Sequence, residues 1–174
     1  MPKNVMVVGT GTIGEPLIGL LAEHKDALGL DNVLFFKRTP LSDEKGKVEA
    51  LLRKGSKIVS TSDALSDFKQ LGFSEIEDVD NAYEDADVII DCTPSGNENW
   101  KSIYSSLDQS KRFMAQGSEH GFGQFFAWGI NNDVLENGSN KYLIASCNTH
   151  NIASIIKTFA LDQSRELVEG QFVC

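Results

Sequence analysis

The run N-V-M-V-V-G-T-G-T-I-G, residues 4–14, decides the fold class of this 174-residue chain. Its first five residues are nearly all apolar, which is typical of a buried parallel strand. Glycines follow in the pattern G-x-G-x-x-G, at Gly9, Gly11 and Gly14. Where this pattern joins a strand to a helix, it forms the phosphate-binding turn of a dinucleotide-binding βαβ unit. The alternative is a glycine-rich turn that binds nothing.

The residues that follow complete this unit and repeat its pattern. Apolar residues recur at helical spacing from 12 to 28, and Gly29 then predicts the end of the helix. A second apolar run at 33–36 is ended by Pro40. Later runs predict further strands, at 86–92, 112–115, 141–145 and 167–174. Strands alternating with helices predict an α/β fold, a Rossmann-type doubly wound and mostly parallel sheet.

The middle and the end of the chain are less regular. Residues 41–85 are polar, and we expect only two helices and at most one short strand there, at 49–54, 63–71 and 74–80. We expect residues 1–145 to form the NAD(P)-binding domain and residues 146–174 to begin a truncated α+β catalytic domain. Because the chain ends within a predicted strand, we interpret it as a fragment. The alternative is the edge strand of a complete domain.

Composition limits the classes of partner and compartment. With 16 basic and 25 acidic side chains the net charge is −9, which argues against nucleic acid and anionic membranes as partners. The three cysteines, Cys92, Cys147 and Cys174, match no zinc-ligand spacing, so no metal is expected. No signal segment and no membrane-spanning apolar run is present, which favours a reducing cytoplasm.

The end of the second predicted strand bears on which dinucleotide is bound. An NAD-specific site usually has a carboxylate there, which accepts hydrogen bonds from the ribose hydroxyls. This chain instead has Lys37, Arg38 and Thr39. The two cations are suited to a 2′-phosphate, which favours NADP. The alternative is that both are solvated surface residues.

A second loop follows the strand predicted at 86–92. It reads Thr93-Pro94-Ser95-Gly96 and lies at the carboxyl edge of the sheet, where open α/β sheets bind ligands. We expect Thr93 and Pro94 to wall the ribose on the nicotinamide side. An ordinary strand-to-helix loop is an equal alternative.

Cys147 lies between a predicted strand and an amphipathic helix. A helix N-terminus favours the thiolate form of a cysteine, and the thiolate is the form that attacks a carbonyl carbon. Neighbouring backbone amides can stabilise the oxyanion that results. The alternative is a buried structural cysteine, which is the interpretation we prefer for Cys92.

Several stretches together resemble the archaeal type (type II) of glyceraldehyde-3-phosphate dehydrogenase. They are G-T-G-T-I-G at 9–14, K-R-T-P at 37–40, A-D-V-I-I-D-C-T-P-S-G at 86–96, Q-G-S-E at 116–119 and A-S-C-N-T at 145–149. The resemblance implies a glycolytic oxidoreductase that converts a phosphorylated aldehyde and inorganic phosphate to an acyl phosphate. It also implies a homo-oligomer that uses NADP or NAD.

The resemblance assigns roles to particular residues. Cys147 is the nucleophile, and the substrate site is lined by Ser146, Asn148 and Thr149. The cofactor is contacted by Thr12, Ile13 and Gly117. Members of the family are much longer than this chain, so we expect the general base to lie beyond Cys174 and these residues alone to be inactive.

One residue departs from the family pattern, and two other functions stay open. His150 stands where a second threonine is expected, either pairing with the Cys147 thiolate or serving as a capping or surface residue. The first alternative function is a semialdehyde dehydrogenase of the same superfamily. The second is a non-catalytic NADP-binding module, such as a redox sensor.

Overall fold

A computed structural model describes residues 3–116, 119–162 and 166–173. Its strands are β1 (Asn4–Val8), β2 (Asn32–Phe36), β3 (Lys57–Ser60), β4 (Ile76–Asp78), β5 (Val88–Asp91), β6 (Arg112–Gln116), β7 (Gln124–Phe126) and β8 (Lys141–Ile144). They form one sheet in the order β4-β3-β2-β1-β5-β6-β8-β7, and every pairing is parallel. The predicted α/β Rossmann-like fold is confirmed.

Helices cover both faces of the sheet. They are α1 (Gly14–Glu23), α2 (Lys25–Leu28), α3 (Lys45–Arg53), α4 (Leu65–Gln70), α5 (Val79–Asp85), α6 (Gly96–Ser102) and α7 (Cys147–Ile156). Shorter 3₁₀ turns lie at Ser42–Glu44, Tyr104–Ser106 and Asn132–Glu136, and a π-helical segment spans Lys157–Leu161.

Strand β1 lies at the centre because all five of its residues are buried. Successive side chains of a strand point to opposite faces, and this strand supplies both layers of the core. Met6 packs with residues of β5, β6 and α5, whereas Val7 packs with residues of α1, α3 and α4. A continuous apolar run is therefore what this position requires, since no residue of it faces water.

The strand order creates the crevice that matters for function. From β1 the chain winds outward through β2, β3 and β4, and then returns to β5 on the other side of β1. Loops leaving β1 and β5 therefore turn to opposite faces of the sheet. Open α/β sheets bind ligands at such a reversal, outside the carboxyl ends of the strands.

The sequence missed β3 and β7, and it predicted one strand wrongly. Strand β3 has only two apolar residues, Ile58 and Val59, yet neither is exposed at all. Residues 167–173, predicted as a strand, form no regular structure. Val168 and Val173 are almost fully exposed, and no neighbouring strand among the described residues offers this segment a partner.

Candidate functional site

The glycine loop joins β1 to α1 by a close approach of backbone to backbone. Gly9 has a φ of 98°, a conformation that disfavours any side chain. A methyl group at Gly14 would lie 1.9 Å from the Gly9 carbonyl oxygen, so only glycine fits there. A methyl group at Gly11 would meet nothing within 4 Å, which leaves the outer side of the loop open to a ligand.

This loop is suited to a pyrophosphate. The first amide groups of a helix have no acceptor within the helix, and at the start of α1 they lie beside the open Gly11. Thr12 and Ile13, the residues that the resemblance assigns to the cofactor, are both exposed here. The glycine loop therefore fits a dinucleotide, because side chains are excluded where the backbone turns and are absent where the ligand would approach.

A cavity of about 630 Å³ opens beside the loop, at the reversal between β1 and β5. Its wall includes five of the residues singled out from the sequence: Gly9, Lys37, Arg38, Thr39 and Thr93. Ser95, from the loop predicted at the ligand-binding edge, also lines it, and other wall residues were not anticipated, among them Thr10, Phe36, Glu44, Tyr83, Glu98 and Asn99. Pro94 is exposed and does not line it.

Lys37 and Arg38 differ in environment although they are adjacent. Lys37 is buried and forms an ion pair with Glu44. Arg38 is exposed at the cavity wall, and no carboxylate of the described residues lies within ion-pair distance of it. Of the two cations, Arg38 is thus the one open to a ligand phosphate, and Lys37 is not a solvated surface residue.

Glu44 is the centre of a charged cluster that reaches the glycine loop. Its second carboxylate oxygen lies 3.3 Å from Lys47 Nζ. Lys47 also lies 3.2 Å from the Glu15 carboxylate and donates to the Thr10 carbonyl oxygen at 3.3 Å. The hydrogen bond from Lys37 holds the pKa of Glu44 below its usual value, so Glu44 is ionised at neutral pH. The residues that directly follow β2, Lys37 to Thr39, include no carboxylate, so the sequence did not predict one at this wall of the cavity.

Asp91, the last residue of β5, organises the loop that follows it. Its side chain is fully buried and accepts hydrogen bonds from the Thr93 amide at 2.8 Å and the Thr93 hydroxyl at 2.6 Å. Its other oxygen accepts from Asn99 at 2.7 Å and from the Tyr104 hydroxyl at 2.8 Å. Four donors thus satisfy one buried carboxylate and fix Thr93 against the cavity.

Two tyrosines extend this network under the cavity. Tyr83 and Tyr104 pack edge to face with ring centroids 5.8 Å apart. Burial raises the pKa of Tyr83 to about 12. Burial and the Asp91 charge raise the pKa of Tyr104 above its ordinary range. Both hydroxyls therefore stay protonated at neutral pH, and the Tyr104 hydroxyl is the one that donates to Asp91.

The Q-G-S-E loop follows β6, next to β5. Gly117, assigned to the cofactor by resemblance, lies outside the described residues. Glu119 is buried and accepts a hydrogen bond from the Asn97 amide at 2.7 Å, at the start of α6. This contact ties the loop after β6 to the loop after β5.

Cys147 is the first residue of α7 and is exposed. Ser146 caps the helix, since its hydroxyl accepts from the Thr149 amide at 3.3 Å. The Cys147 sulfur lies 4.0 Å from the Asn148 side-chain oxygen, and both Asn148 and Thr149 are exposed. The structure thus presents the thiol to solvent, which is incompatible with a buried structural cysteine.

The thiol and the cavity share one edge of the sheet without touching. Cys147 follows β8, Thr93 follows β5, and only β6 lies between these strands. Two strand spacings separate the strand ends by roughly 10 Å. Cys147 is not part of the cavity wall. A substrate bridging them would lie over the carboxyl end of β6.

The other functional candidates have structural contacts of their own. His150, on α7, places Nε2 2.9 Å from the carbonyl oxygen of Trp128, which lies in the segment after β7, and His150 is not part of the cavity wall. Cys92 is half-buried beneath the glycine loop, where a methyl group at Gly14 would lie 3.3 Å from its Cβ. Burial and the neighbouring Asp91 raise the pKa of the Cys92 thiol to about 11.

Sequence reasoning missed Glu44, Asp91, Tyr83 and Glu119. Asp91 had a signal, because a carboxylate in an otherwise apolar strand demands buried donors. Glu44 had none, since it reaches the cavity from a 3₁₀ turn beyond Pro40. Within the described ranges, no group of three metal-ligating side chains occurs, and no helix is long and apolar enough to cross a membrane.

The chain is similar in sequence to glyceraldehyde-3-phosphate dehydrogenases of several organisms. The chain is 29% identical over 162 residues to glyceraldehyde-3-phosphate dehydrogenase of Pyrobaculum calidifontis, covering 91% of this chain and 44% of that protein. It is 27% identical over 174 residues to the protein of the same name from Sulfolobus acidocaldarius, covering 98% and 48%. It is 27% identical over 154 residues to glyceraldehyde-3-phosphate dehydrogenase 1 of Methanosarcina acetivorans, covering 88% and 44%.

The similarity covers only part of each of these relatives. The chain spans about half the length of the curated relatives that it matches. No protein-family model matches it. The resemblance to archaeal glyceraldehyde-3-phosphate dehydrogenases is shown, and it is a resemblance to their N-terminal portion.

Proposed function

We propose that this chain, which resembles the N-terminal portion of archaeal glyceraldehyde-3-phosphate dehydrogenases, is the cofactor-binding part of a phosphorylating aldehyde dehydrogenase. The observation that carries the proposal is the geometry of the glycine loop. A methyl group at Gly14 would lie 1.9 Å from the Gly9 carbonyl oxygen, and Gly11 is open to a ligand. The loop borders a cavity of about 630 Å³ at the strand-order reversal. Relatives named for this activity support the choice of reaction.

In this proposal the glycine loop holds the pyrophosphate and the cavity holds the adenosine ribose. Gly9, Gly11 and Gly14 shape the loop, and Thr12 and Ile13 flank it. Arg38 and Thr39 face the 2′-position, which supports binding of NADP with NAD also accepted. Thr93 walls the nicotinamide side, and Gly117 keeps the cofactor contact that the resemblance assigns to it.

The proposed domains divide where the sheet ends. Residues 1–145 make up the cofactor domain, and residues 146–174 begin the catalytic domain. Strand β8 ends at Ile144, and α7 begins at Cys147. The exposed thiol would thus belong to the second domain while standing on the edge of the first.

Cys147 is the proposed nucleophile. Its thiolate adds to the aldehyde carbon, forming a carbon–sulfur bond and an alkoxide that the amides at the start of α7 stabilise. A nicotinamide cofactor, when bound, would supply the hydride acceptor, and loss of hydride from the carbon attached to Cys147 would leave a thioester there. A phosphate oxygen then attacks the thioester carbonyl, the thiolate departs and an acyl phosphate is released. Ser146, Asn148 and Thr149 would surround the reacting carbon.

The activity as a whole requires more than these residues supply. The relatives are about twice as long as the matched segment, so we expect the general base and the substrate-phosphate site in the remainder of such a protein. The 174 residues alone are expected to bind NADP and to release no NADPH with glyceraldehyde 3-phosphate and phosphate. Turnover by these residues would contradict the expectation that the general base and the substrate-phosphate site lie in the remainder of the protein.

Protection of the thiol tests the proposed chemistry directly. Glyceraldehyde 3-phosphate should slow alkylation of Cys147 by iodoacetamide, because thiohemiacetal formation removes the free thiolate. Glycerol 3-phosphate at the same concentration lacks the aldehyde and should give no protection. Peptide mass spectrometry reads the label at Cys147 separately from Cys92. Equal labelling with both compounds would contradict the proposed nucleophile.

A further inference from the structure

We propose that Glu44 sets the balance between NADP and NAD, because its carboxylate competes with a ligand 2′-phosphate for the ammonium group of Lys37. The inference rests on the proposed function and assigns a selectivity residue within its cofactor cavity. It follows from the contacts of Glu44, a residue that no motif in the sequence marks.

The first observation is that Lys37 is fixed and already paired. Its backbone amide donates to the Val59 carbonyl oxygen at 3.1 Å, and its carbonyl oxygen accepts from the buried Ser60 hydroxyl at 2.7 Å. Its side chain is 7% exposed and ends in the ion pair with Glu44. A phosphate can reach this ammonium group only by displacing or sharing the carboxylate.

The second observation is that Glu44 is held in place from both oxygens. One pairs with Lys37 and the other with Lys47. Lys47 is in turn held by Glu15 and by the Thr10 carbonyl oxygen. These contacts extend from the cavity wall to the glycine loop, and the carboxylate cannot swing away without breaking its ion pairs with both Lys37 and Lys47.

The two cofactors meet this carboxylate differently. The 2′-phosphate of NADP carries nearly two negative charges and is repelled by an ionised neighbour. The 2′-hydroxyl of NAD is neutral and can donate a hydrogen bond to a carboxylate. Arg38, which has no carboxylate partner among the described residues, attracts the phosphate. Glu44 and Arg38 therefore act in opposite directions at one wall of the cavity.

The test compares Glu44→Gln with Glu49→Gln. Both substitutions remove one negative charge from the same part of the chain. Glu49 lies on α3, pairs with Lys45 and Arg53, and is not in the cavity wall. Dissociation constants for NADP⁺ and NAD⁺ are measured by calorimetric titration of the full 174-residue chain and of each variant.

We expect Glu44→Gln to tighten NADP⁺ about tenfold relative to NAD⁺, since it removes the repulsion and frees Lys37. Glu49→Gln should leave the ratio of the two constants within about twofold of the original, because that charge is distant and screened. Saturable binding with the Glu44→Gln ratio unchanged, or shifted towards NAD⁺, overturns this inference alone. Absence of binding by either dinucleotide to the unchanged chain overturns the proposed function as well.

Discussion

Two regions of the sheet's carboxyl edge, the one that carries the glycine loop and the one that carries Cys147, are built differently. At the first, the fully buried Asp91 gathers four hydrogen bonds, and Gly14 packs against Gly9 with no room for a methyl group. At the second, α7 contains no buried residue, and Phe159 just beyond it is 71% exposed. The groups that would meet a cofactor are therefore already fixed by the core. The position of the thiol is not fixed in this way, because the helix that carries it buries no residue.

The largest difference is expected at the glycine loop. Gly14→Ala places a methyl group 1.9 Å from a backbone oxygen, and we expect a loss of about 3 kcal/mol or more in the free energy of unfolding. Gly46→Ala, at an exposed position of α3 where a methyl group would have no neighbour within 4 Å, should gain up to about 1 kcal/mol. Urea denaturation measures both. Equal stability of the two variants would break the claim that the loop is tightly packed.

Removal of the buried carboxylate should have the next largest effect. Asp91→Ala leaves several buried donors without an acceptor, and we expect a loss of about 2–3 kcal/mol in the free energy of unfolding. Tyr104→Phe removes only the donor at 2.8 Å and should cost about 1 kcal/mol. Thermal or urea unfolding gives the comparison. If the two variants lose the same stability, Asp91 does not organise the network.

Cys92 and Cys147, the cysteines within the described part of the chain, sharpen the contrast between the two regions. Because the pKa of Cys92 is raised to about 11, its thiolate is scarce below that pH. We expect Cys92 to be alkylated about a hundredfold more slowly than a free thiol at mildly alkaline pH, and faster as the pH approaches its pKa. The exposed Cys147 should be labelled first. Preferential labelling of Cys92, followed by peptide mass spectrometry, would reverse the assignment.

The smallest effect is expected at the cap of α7. Ser146→Ala removes the hydroxyl that accepts from the Thr149 amide, which should lower the local stability of the first turn by about 1 kcal/mol. Global stability should hardly change, because α7 buries no residue. Hydrogen exchange of the α7 amides reports the local effect. Ser154→Ala, which removes a bond to the His150 carbonyl oxygen, is the control and should leave the first turn protected.

The sequence predicted the parts of the molecule where local pattern and packing agree. The apolar run of β1 and the glycines after it were sufficient to predict the parallel sheet, the glycine loop and the edge of the sheet at which a ligand would bind. Strand β3 was missed because burial of only Ile58 and Val59 leaves almost no pattern to detect. The strand predicted at 167–174 is absent over 167–173, the part of it that the structure describes, because an apolar run does not form a strand without a partner.

The site was harder to predict than the fold because its charges meet through space. Lys37 and Arg38 are adjacent in sequence, yet one is buried in an ion pair and the other is open. The partner that distinguishes them, Glu44, arrives from a turn that no motif connects to the cofactor. Asp91 was visible within a quoted apolar run, but only its four donors reveal what it does.

The most direct test of the central claim is dinucleotide binding by Gly11→Val. A Cβ there meets no protein atom within 4 Å, so folding should be preserved while the valine side chain blocks the path of the pyrophosphate. Calorimetric titration with NADP⁺ should show saturable binding to the original chain and at least about tenfold weaker binding to the variant. Circular dichroism and the Tm should stay the same. Equal affinity of the two chains would contradict the account.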